Sequence, residues 1–180
     1  MEGSSKLSAL RTFLSKYNFM VHQKISIAFD EYDSVDQLSE EDAALLIEAQ
    51  KAIAIAYAPY SKFRVGAAAL LQNGKTLLGS NQENASYPVG MCAERVLLST
   101  TSSLFPGIPI KAIAISYRNE LGESIKPISP CGICRQTLVE YESMLKYPIR
   151  LILAGMEGKI VVLPNAGTLL PFGFSGKDLQ

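Results

Sequence analysis

The segment VGAAALLQNGKTLLG, residues 65–79, carries the clearest folding signal in the sequence. Its first seven residues form an apolar run that predicts a buried strand, and Asn73-Gly74 predicts a tight hairpin turn into a return strand. Further elements follow in alternation, namely a helix at 92–102, a strand at 111–117, a helix at 131–145, and strands at 149–154 and 159–163. Such helices cover the faces of a sheet. The predicted fold class is therefore α/β, a three-layer α/β/α sandwich with a mixed central sheet.

A further helix is predicted before this hairpin. Ser39 followed by Asp42 is typical of an N-cap with an acidic first turn, and the alanine-rich residues 43–56 favour a helix that Pro59 ends. We expect the main domain to span residues 39–180, preceded by an N-terminal extension at residues 1–38.

The extension is predicted to contain a short helix and a short strand. Leucine and tyrosine recur at helical spacing over residues 7–17, and apolar residues alternate at Ile25, Ile27 and Phe29. Acidic residues between 30 and 36 predict a solvated connector. We expect the extension to cover an exposed edge of the sheet.

Charge and hydropathy exclude several classes of partner. The 180 residues include 17 Lys and Arg and 17 Asp and Glu, so the formal net charge is zero. Nucleic-acid binders usually carry a basic surplus, and proteins that bind anionic membranes do as well. No apolar run approaches the roughly 18–20 residues of a membrane span. Arg11 and Lys16 interrupt any signal-like stretch. We expect a cytoplasmic protein with no nucleic-acid or membrane partner.

The only cysteines are Cys92, Cys131 and Cys134, and the only histidine is His22. An odd, small number of cysteines does not suggest a disulfide framework. Cys92 opens one predicted helix and the other two open the next, so the helix starts can lie side by side. Their free N–H groups and partial positive charge lower thiol pKa values. Three converging thiolates predict a site for one zinc ion per chain, with a position left for water.

Glu94 lies two residues after Cys92, in the first turn of the same predicted helix. It is poorly placed as a fourth ligand, but it can lie beside the open position and transfer protons as a general acid and base. A Cys-x-x-Cys pair alone is also typical of a structural zinc knuckle or a redox pair. A structural zinc site would need a fourth protein ligand and would not need a neighbouring carboxylate. The third cysteine and Glu94 therefore favour catalysis.

Two arginines flank the predicted ligands. Arg95 and Arg135 each lie in a first helical turn beside a cysteine. Zinc with three thiolates carries a net charge of −1, which makes bound water less acidic, and a nearby cation would counter this. We hypothesise that Arg95 donates a hydrogen bond to a ligand sulfur. Arg135 is compatible with either such a role or an ordinary surface position.

Five sequence blocks carry a family resemblance, namely APYSKFRVGAA at 58–68, NQENASY at 81–87, CAER at 92–95, SPCGICRQ at 129–136, and LLPFGF with Asp178-Leu179 at 169–179. The zinc-deaminase signature has the same shape, with histidine in the place of Cys92. Over roughly residues 40–180 the sequence resembles the small, homotetrameric class of cytidine deaminases. Residues 39–180 would then be the catalytic domain.

The resemblance implies roles for individual residues. The three cysteines would bind zinc, and Glu94 would shuttle protons. Asn81 and Glu83 would bind the ribose hydroxyls, a task that suits an amide and a carboxylate. Phe63 would pack on the pyrimidine ring. The N–H of Ala93, at a helix start, is expected to hold the ring carbonyl.

The resemblance also implies that subunits share their active sites. Phe174 would reach into the site of a neighbouring subunit, and Ala85 and Tyr87 would contribute across an interface. The implied assembly is a homotetramer, so a lone monomer should be poorly active. Two positions depart from the family pattern. Residue 64 is Arg, where the family more often has a smaller residue or proline. Ser175-Gly176 follows Phe174, where the family often has Gly-Pro.

The expected reaction is hydrolytic deamination of cytidine and 2′-deoxycytidine to uridine and 2′-deoxyuridine with release of ammonia, in pyrimidine salvage. The sequence does not indicate a preference between a ribose and a deoxyribose substrate. One alternative keeps the zinc site but changes the substrate to a nucleoside-like antibiotic or to cytosine in a polynucleotide, although a polynucleotide would require a basic groove. Another alternative is a zinc-stabilised interaction domain without catalysis.

Overall fold

The structure, a computed structural model, describes residues 20–179. These residues form one six-stranded sheet and three α-helices. The strands are β1 Asp30–Tyr32, β2 Phe63–Leu71, β3 Thr76–Ser80, β4 Ile110–Asn119, β5 Arg150–Ala154 and β6 Ile160–Leu163, and the helices are α1 Glu40–Ala52, α2 Ala93–Leu104 and α3 Gly132–Leu145. Among the described residues, every helix is too short or too polar to cross a membrane.

The sheet has the strand order β1-β6-β5-β4-β2-β3. Only the β4–β5 pair is parallel among these neighbours, and all the others are antiparallel, so the predicted mixed sheet is confirmed. Because β3 and β4 both run antiparallel to β2, they run in the same direction. The chain therefore leaves β3 and β4 at the same end of the sheet. α2 follows β3 and α3 follows β4, which allows the two helices to begin next to each other.

Helices cover both faces of the sheet, which confirms the three-layer sandwich. One core cluster lies between α1 and the sheet and includes Leu45, Leu46, Ala49, Ala68, Ala114 and Ile152. The other lies between the sheet and helices α2 and α3 and includes Ala67, Ala69, Leu97, Ile113, Ile115 and Leu138. Because β2 is buried on both faces, its sequence is a continuous apolar run rather than an alternating one.

The predicted cap of α1 is also confirmed. The Oγ atom of Ser39 accepts a hydrogen bond from the backbone N–H of Asp42 at 3.2 Å. This contact satisfies one of the free donors at the helix start. The α-helix ends at Ala52 and continues as a short 3₁₀ turn, Ile53–Ile55. The helix predicted over residues 43–56 is therefore present, but its α-helical part ends earlier than predicted.

The strand of the N-terminal extension lies further along the chain than predicted. Residues 25–29 form no strand, and their large apolar side chains are exposed. The strand β1 instead lies within the predicted acidic connector, where it pairs with β6 and where Glu31 forms an ion pair with Lys159. Tyr32 packs against the α1 core cluster. Pairing with a distant strand, not local alternation, determines its position. The helix predicted over residues 7–17 lies outside the described residues.

Gly79 allows α2 to approach the sheet closely. A Cβ atom at this position of β3 would lie 2.5 Å from the carbonyl oxygen of Ala93 and 2.7 Å from the backbone nitrogen of Leu97. Both are backbone atoms of α2, so they can move only if the helix moves. The missing side chain therefore sets how near the start of α2, with Cys92 before it, lies to the sheet.

We predict that Gly79→Ala destabilises the protein by about 2–4 kcal/mol, because the added methyl group overlaps the helix backbone. Urea unfolding at equilibrium measures this change from the midpoint and the slope. Gly176→Ala is the matched control, since a Cβ atom there meets no other atom within 4 Å. Equal midpoints for both variants would contradict the close packing of α2 on β3.

Candidate active site

The three cysteines lie at the starts of α2 and α3. Cys92 and Cys131 are the N-cap residues of these helices, and Cys134 is buried in the first turn of α3. Neither N-cap thiol bonds to the backbone of its helix. The Sγ atom of Cys131 lies 3.7 Å from that of Cys92 and 3.5 Å from that of Cys134. All three sulfur atoms lie within 4.8 Å of one another, so the two helix starts converge as predicted.

These separations fit a zinc ion. Zn–S bonds of about 2.3 Å at tetrahedral angles place the sulfur atoms about 3.8 Å apart. A disulfide would require about 2.05 Å. Within residues 20–179, the group of clustered metal-ligating side chains consists of these three cysteines alone. Three thiolates without a fourth protein ligand are the donor set of a zinc site that keeps one position for solvent or substrate, which agrees with the predicted cofactor.

Without a metal ion, the three thiols cannot all be ionised at the same time. The neighbouring Cys134 thiol, against the opposing effect of burial, lowers the pKa of Cys92 to about 6. The same contact, together with burial, raises the pKa of Cys134 far above its usual value. A second thiolate so close to the first is strongly disfavoured in the absence of a cation. Binding of a divalent metal ion would remove this penalty and allow three thiolates.

Glu94 is buried beside the cysteine cluster, with only 5% of its surface exposed. It lies in the first turn of α2 and lines the cavity described below. Burial raises the pKa of the Glu94 carboxyl group, although its own backbone N–H and the nearby Cys134 thiol partly oppose this effect. A carboxyl group with a raised pKa in a cavity is suited to take up and release a proton.

A cavity of about 310 Å³ opens next to the cysteines, and Cys92, Cys131 and Glu94 form part of its wall. This volume lies at the lower end of the range for small-molecule sites. Four further residues predicted from the sequence line the same cavity, namely Asn81, Glu83, Tyr87 and Ala93. Its wall is completed by residues to which the sequence assigned no role, among them Gln82, Met91, Ile128 and Ser129. Gln82 and Ser129 lie within two of the sequence blocks given above, whereas only the tertiary structure identifies Met91 and Ile128.

The Asn81 side chain continues the pairing between β2 and β3. Its Oδ1 atom accepts a hydrogen bond from the backbone N–H of Val65 at 2.8 Å, and its Nδ2 atom donates to the carbonyl oxygen of Phe63 at 2.9 Å. The amide group is thereby held rigidly at the cavity wall. One N–H of Nδ2 remains for a ligand, since an amide carries two donors.

Glu83 is held through one of its two carboxylate oxygens. Its Oε2 atom accepts hydrogen bonds from the backbone N–H groups of Tyr60, at 2.9 Å, and Ser61, at 3.3 Å. Partial burial raises the pKa of Glu83. The hydrogen bonds from Ser61 and Tyr60 and the charge of Lys62 together lower it by more, so the pKa is lower than usual. The carboxylate is therefore ionised at neutral pH, and Oε1 is left to accept a hydrogen bond from a ligand.

Three residues predicted to contact substrate do not line the cavity of the single chain. Phe63 stacks on Tyr117, with ring centroids 4.7 Å apart and an interplanar angle of 16°. Ala85 and Phe174 are exposed. The carbonyl oxygen of Phe174 accepts a hydrogen bond from Nε2 of Gln136 at 2.7 Å, which fixes the tail to α3. The substrate contacts of Phe63, Ala85 and Phe174 stay predictions.

The two flanking arginines differ in their contacts. In the described part of the chain, the Arg95 guanidinium makes no hydrogen bond and acts on Cys92 only through its charge, so its predicted bond to sulfur stays a prediction. Arg135 donates three hydrogen bonds, to the carbonyl oxygens of Pro130 at 2.8 Å and Leu169 at 3.2 Å and to Oγ of Ser129 at 3.0 Å. Arg135 thus holds the loop before Cys131. Its place beside Cys134 was the only sequence signal for this role.

Comparison with known proteins agrees with this geometry. The family model described as the cytidine and deoxycytidylate deaminase zinc-binding region matches residues 39–147, which contain all three cysteines and Glu94. A cytidine deaminase of Halalkalibacterium halodurans is 36% identical over 136 residues, covering 76% of this chain and 96% of that protein. One from Mycobacterium tuberculosis is 38% identical over 134 residues, covering 73% and 87%.

A solved structure shows the same relationship. The crystal structure of a cytidine deaminase from Burkholderia pseudomallei superimposes with a TM-score of 0.64 and 39% sequence identity, covering 76% of this chain and 100% of that one. The similarity thus extends over the fold, the segment that contains the cysteine cluster and most of the chain, and the protein belongs to the cytidine and deoxycytidylate deaminase family.

Proposed function

We propose that the protein catalyses hydrolytic deamination of cytidine and 2′-deoxycytidine to uridine and 2′-deoxyuridine, with release of ammonia. The observation that carries this proposal is the buried Glu94 carboxyl group, which lines one cavity with Cys92 and Cys131, two of three cysteines whose sulfur atoms lie at zinc-binding distances. Burying a carboxyl group is unfavourable. A purely structural zinc domain would gain nothing from it, whereas a proton-transfer step requires it. The relatives described above are themselves cytidine deaminases.

In the proposed mechanism, Cys92, Cys131 and Cys134 hold the metal ion, and Glu94 carries the protons. Bound zinc would supply a Lewis acid that lowers the pKa of a water molecule. Glu94 accepts a proton from the attacking water and delivers it to ring N3, which makes C4 electrophilic. After the water oxygen has bonded to C4, Glu94 takes the remaining proton from that oxygen and transfers it to the amino group. The C4–N bond then breaks, ammonia leaves, and the ring becomes a uracil ring.

Other cavity residues are assigned to the nucleoside. Glu83 Oε1 and the free Nδ2 donor of Asn81 would bind the ribose hydroxyls, and the Ala93 N–H would hold the ring carbonyl. Phe63 would pack on the pyrimidine ring. A formal net charge of zero favours a free nucleoside over a polynucleotide. Arg95 would moderate the charge of the thiolates.

We further propose a homotetramer in which Phe174, Ala85 and Tyr87 complete the active site of a neighbouring subunit. The exposure of these three side chains in the single chain supports this assignment. Residues 39–180 would be the catalytic domain and residues 1–38 an extension, since the family match begins at residue 39. The proposed setting is pyrimidine salvage in the cytoplasm.

The substrate is tested by following the change in ring absorbance with cytidine, 2′-deoxycytidine and cytosine. We expect turnover of both nucleosides and little turnover of cytosine, which lacks the sugar that Asn81 and Glu83 would bind. A protein that contains zinc but converts neither nucleoside would refute the proposed substrate. Such a result would favour a modified nucleoside or a non-catalytic zinc domain.

Glu94→Gln should lower kcat by at least about 1,000-fold, because the amide cannot accept and return a proton. Its zinc content, measured by elemental analysis, should equal that of the unaltered protein, since the three sulfur ligands are intact. Glu140→Gln is a matched control, because Glu140 is an exposed residue on α3. Near-normal turnover by Glu94→Gln with full zinc occupancy would rule out the proton-shuttle role.

Shared active sites predict complementation between two inactive variants. Phe174→Ala and Glu94→Gln should each be poorly active alone. When both chains are co-expressed and assemble at random, about a quarter of the sites combine an intact Glu94 with an intact Phe174 from a neighbour, so about a quarter of the activity should return. Mass photometry should show tetramers. Activity equal only to the sum of the separate variants would place Phe174 outside the neighbour's site.

A further inference from the structure

Arg64, the second residue of β2, connects two distant parts of the chain. Its Nη1 atom donates to the carbonyl oxygen of Ala56 at 2.5 Å, and its Nε atom donates to Oε1 of Glu120 at 2.5 Å. Ala56 is buried just before the loop of residues 57–62, and Glu120 directly follows β4. Hydrogen bonds from a guanidinium group are roughly twice as strong as those between neutral groups. Arginine is also one of the two departures from the family pattern noted above.

The loop of residues 57–62 forms the support for Glu83. Tyr60 and Ser61 donate their backbone N–H groups to the Glu83 carboxylate, and the carbonyl oxygen of Tyr57 accepts the backbone N–H of Glu83 at 2.8 Å. Both the side chain and the backbone of Glu83 are therefore held by this loop. A displacement of the loop would move the carboxylate within the cavity.

The loop is not held by its own conformation alone. Lys62 has a φ of 58°, in the left-handed region that is unfavourable for residues other than glycine. The carbonyl oxygen of Lys62 accepts a hydrogen bond from the backbone N–H of Glu120 at 2.9 Å. Arg64 ties Ala56, at the other end of the loop, to the Glu120 side chain. Both ends of the loop are thus anchored at Glu120, one directly and the other through Arg64.

The surrounding positive charges keep the Glu120 carboxylate ionised. Arg64 lies opposite Arg118 in the β2–β4 pairing, and two like charges in that position repel each other. The hydrogen bond from Arg64, followed by the charges of Arg64, Lys62 and Arg118, lowers the pKa of Glu120. The Glu120 carboxylate therefore compensates three cations that would otherwise push the loop away from β4.

We propose that Arg64 is a positioning residue for nucleoside binding, which holds the loop of residues 57–62 in the conformation that presents Glu83 to the sugar. The proposal rests on the ribose-binding role proposed above for Glu83. Arg64 does not line the cavity, so it acts indirectly, and its two hydrogen bonds lead to the loop. Glu94 and the cysteines are positioned by the starts of α2 and α3 and make no hydrogen bond to this loop. Loss of Arg64 should therefore weaken nucleoside binding and leave proton transfer intact.

The test is a double-mutant cycle between Arg64→Ala and Glu83→Gln in the zinc-loaded full-length protein. Arg64→Ala should raise KM for cytidine about tenfold and change kcat less than about twofold. In the Glu83→Gln background the same substitution should cause little further rise, because its effect passes through Glu83. Arg64→Lys should fall in between, since a lysine keeps the charge but lacks the rigid fork of donors with which the guanidinium reaches both partners. Lys51→Ala is the control, because Lys51 is a neighbouring surface cation that pairs with Glu48.

An unchanged KM for Arg64→Ala, or an equal rise in both backgrounds, would overturn the positioning role while leaving the ribose role of Glu83 intact. An unchanged KM for Glu83→Gln alone would overturn that ribose role and this proposal with it. If Arg64→Ala does not fold, Glu120→Gln replaces it, because that variant removes the ion pair and keeps the contact with Ala56. The expected rise in KM is then about threefold, again dependent on Glu83.

Discussion

Three sulfur atoms within 4.8 Å of one another are stable as thiolates only around a cation, and the active site is organised by this constraint. The contrast between a lowered pKa at Cys92 and a raised pKa at Cys134 shows that thiols at this distance compete for ionisation. Two helix N-termini contribute positive potential, but a partial charge of about half an elementary charge from each cannot balance three thiolates. A divalent ion reduces the charge of the three thiolates to −1, which these partial charges can then offset, and the ion also acts on Glu94 beside it. Metal binding and acid–base chemistry are thus parts of one electrostatic arrangement.

The fold satisfies this constraint through strand direction and close packing. β3 and β4 run in the same direction on either side of β2, so the segments that follow them start at one end of the sheet. Gly79 then allows α2 to lie against β3 closely enough for Cys92 to reach the cysteines of α3. Ligands of α/β proteins commonly bind at the carboxyl ends of strands, and the cavity occupies that end here. Neither the helices nor the sheet alone would bring residues 39 positions apart to a sulfur separation of 3.7 Å.

What the sequence could predict depended on whether the signal was local. The β2–β3 hairpin, the Ser39 cap and the cysteines at helix starts all follow from short patterns, and all are present in the structure. The strand β1 was misplaced because its position is set by pairing with β6, about 130 residues further along the chain. The contacts of Arg64 and Arg135 were not predictable either. Their acceptors are mostly backbone carbonyl oxygens, which no sequence motif marks.

Helix α3 links metal binding to the placement of the C-terminal tail. Its first turn supplies Cys134, and the next two residues, Arg135 and Gln136, donate hydrogen bonds to the carbonyl oxygens of Leu169 and Phe174. Movement of the α3 start on loss of the metal ion would therefore be transmitted to the segment that carries Phe174. In the proposed tetramer, that segment would contribute to the active site of a neighbouring subunit. Metal occupancy in one subunit and substrate contacts in the next would then be coupled through a single helix turn, without any need for a larger conformational change.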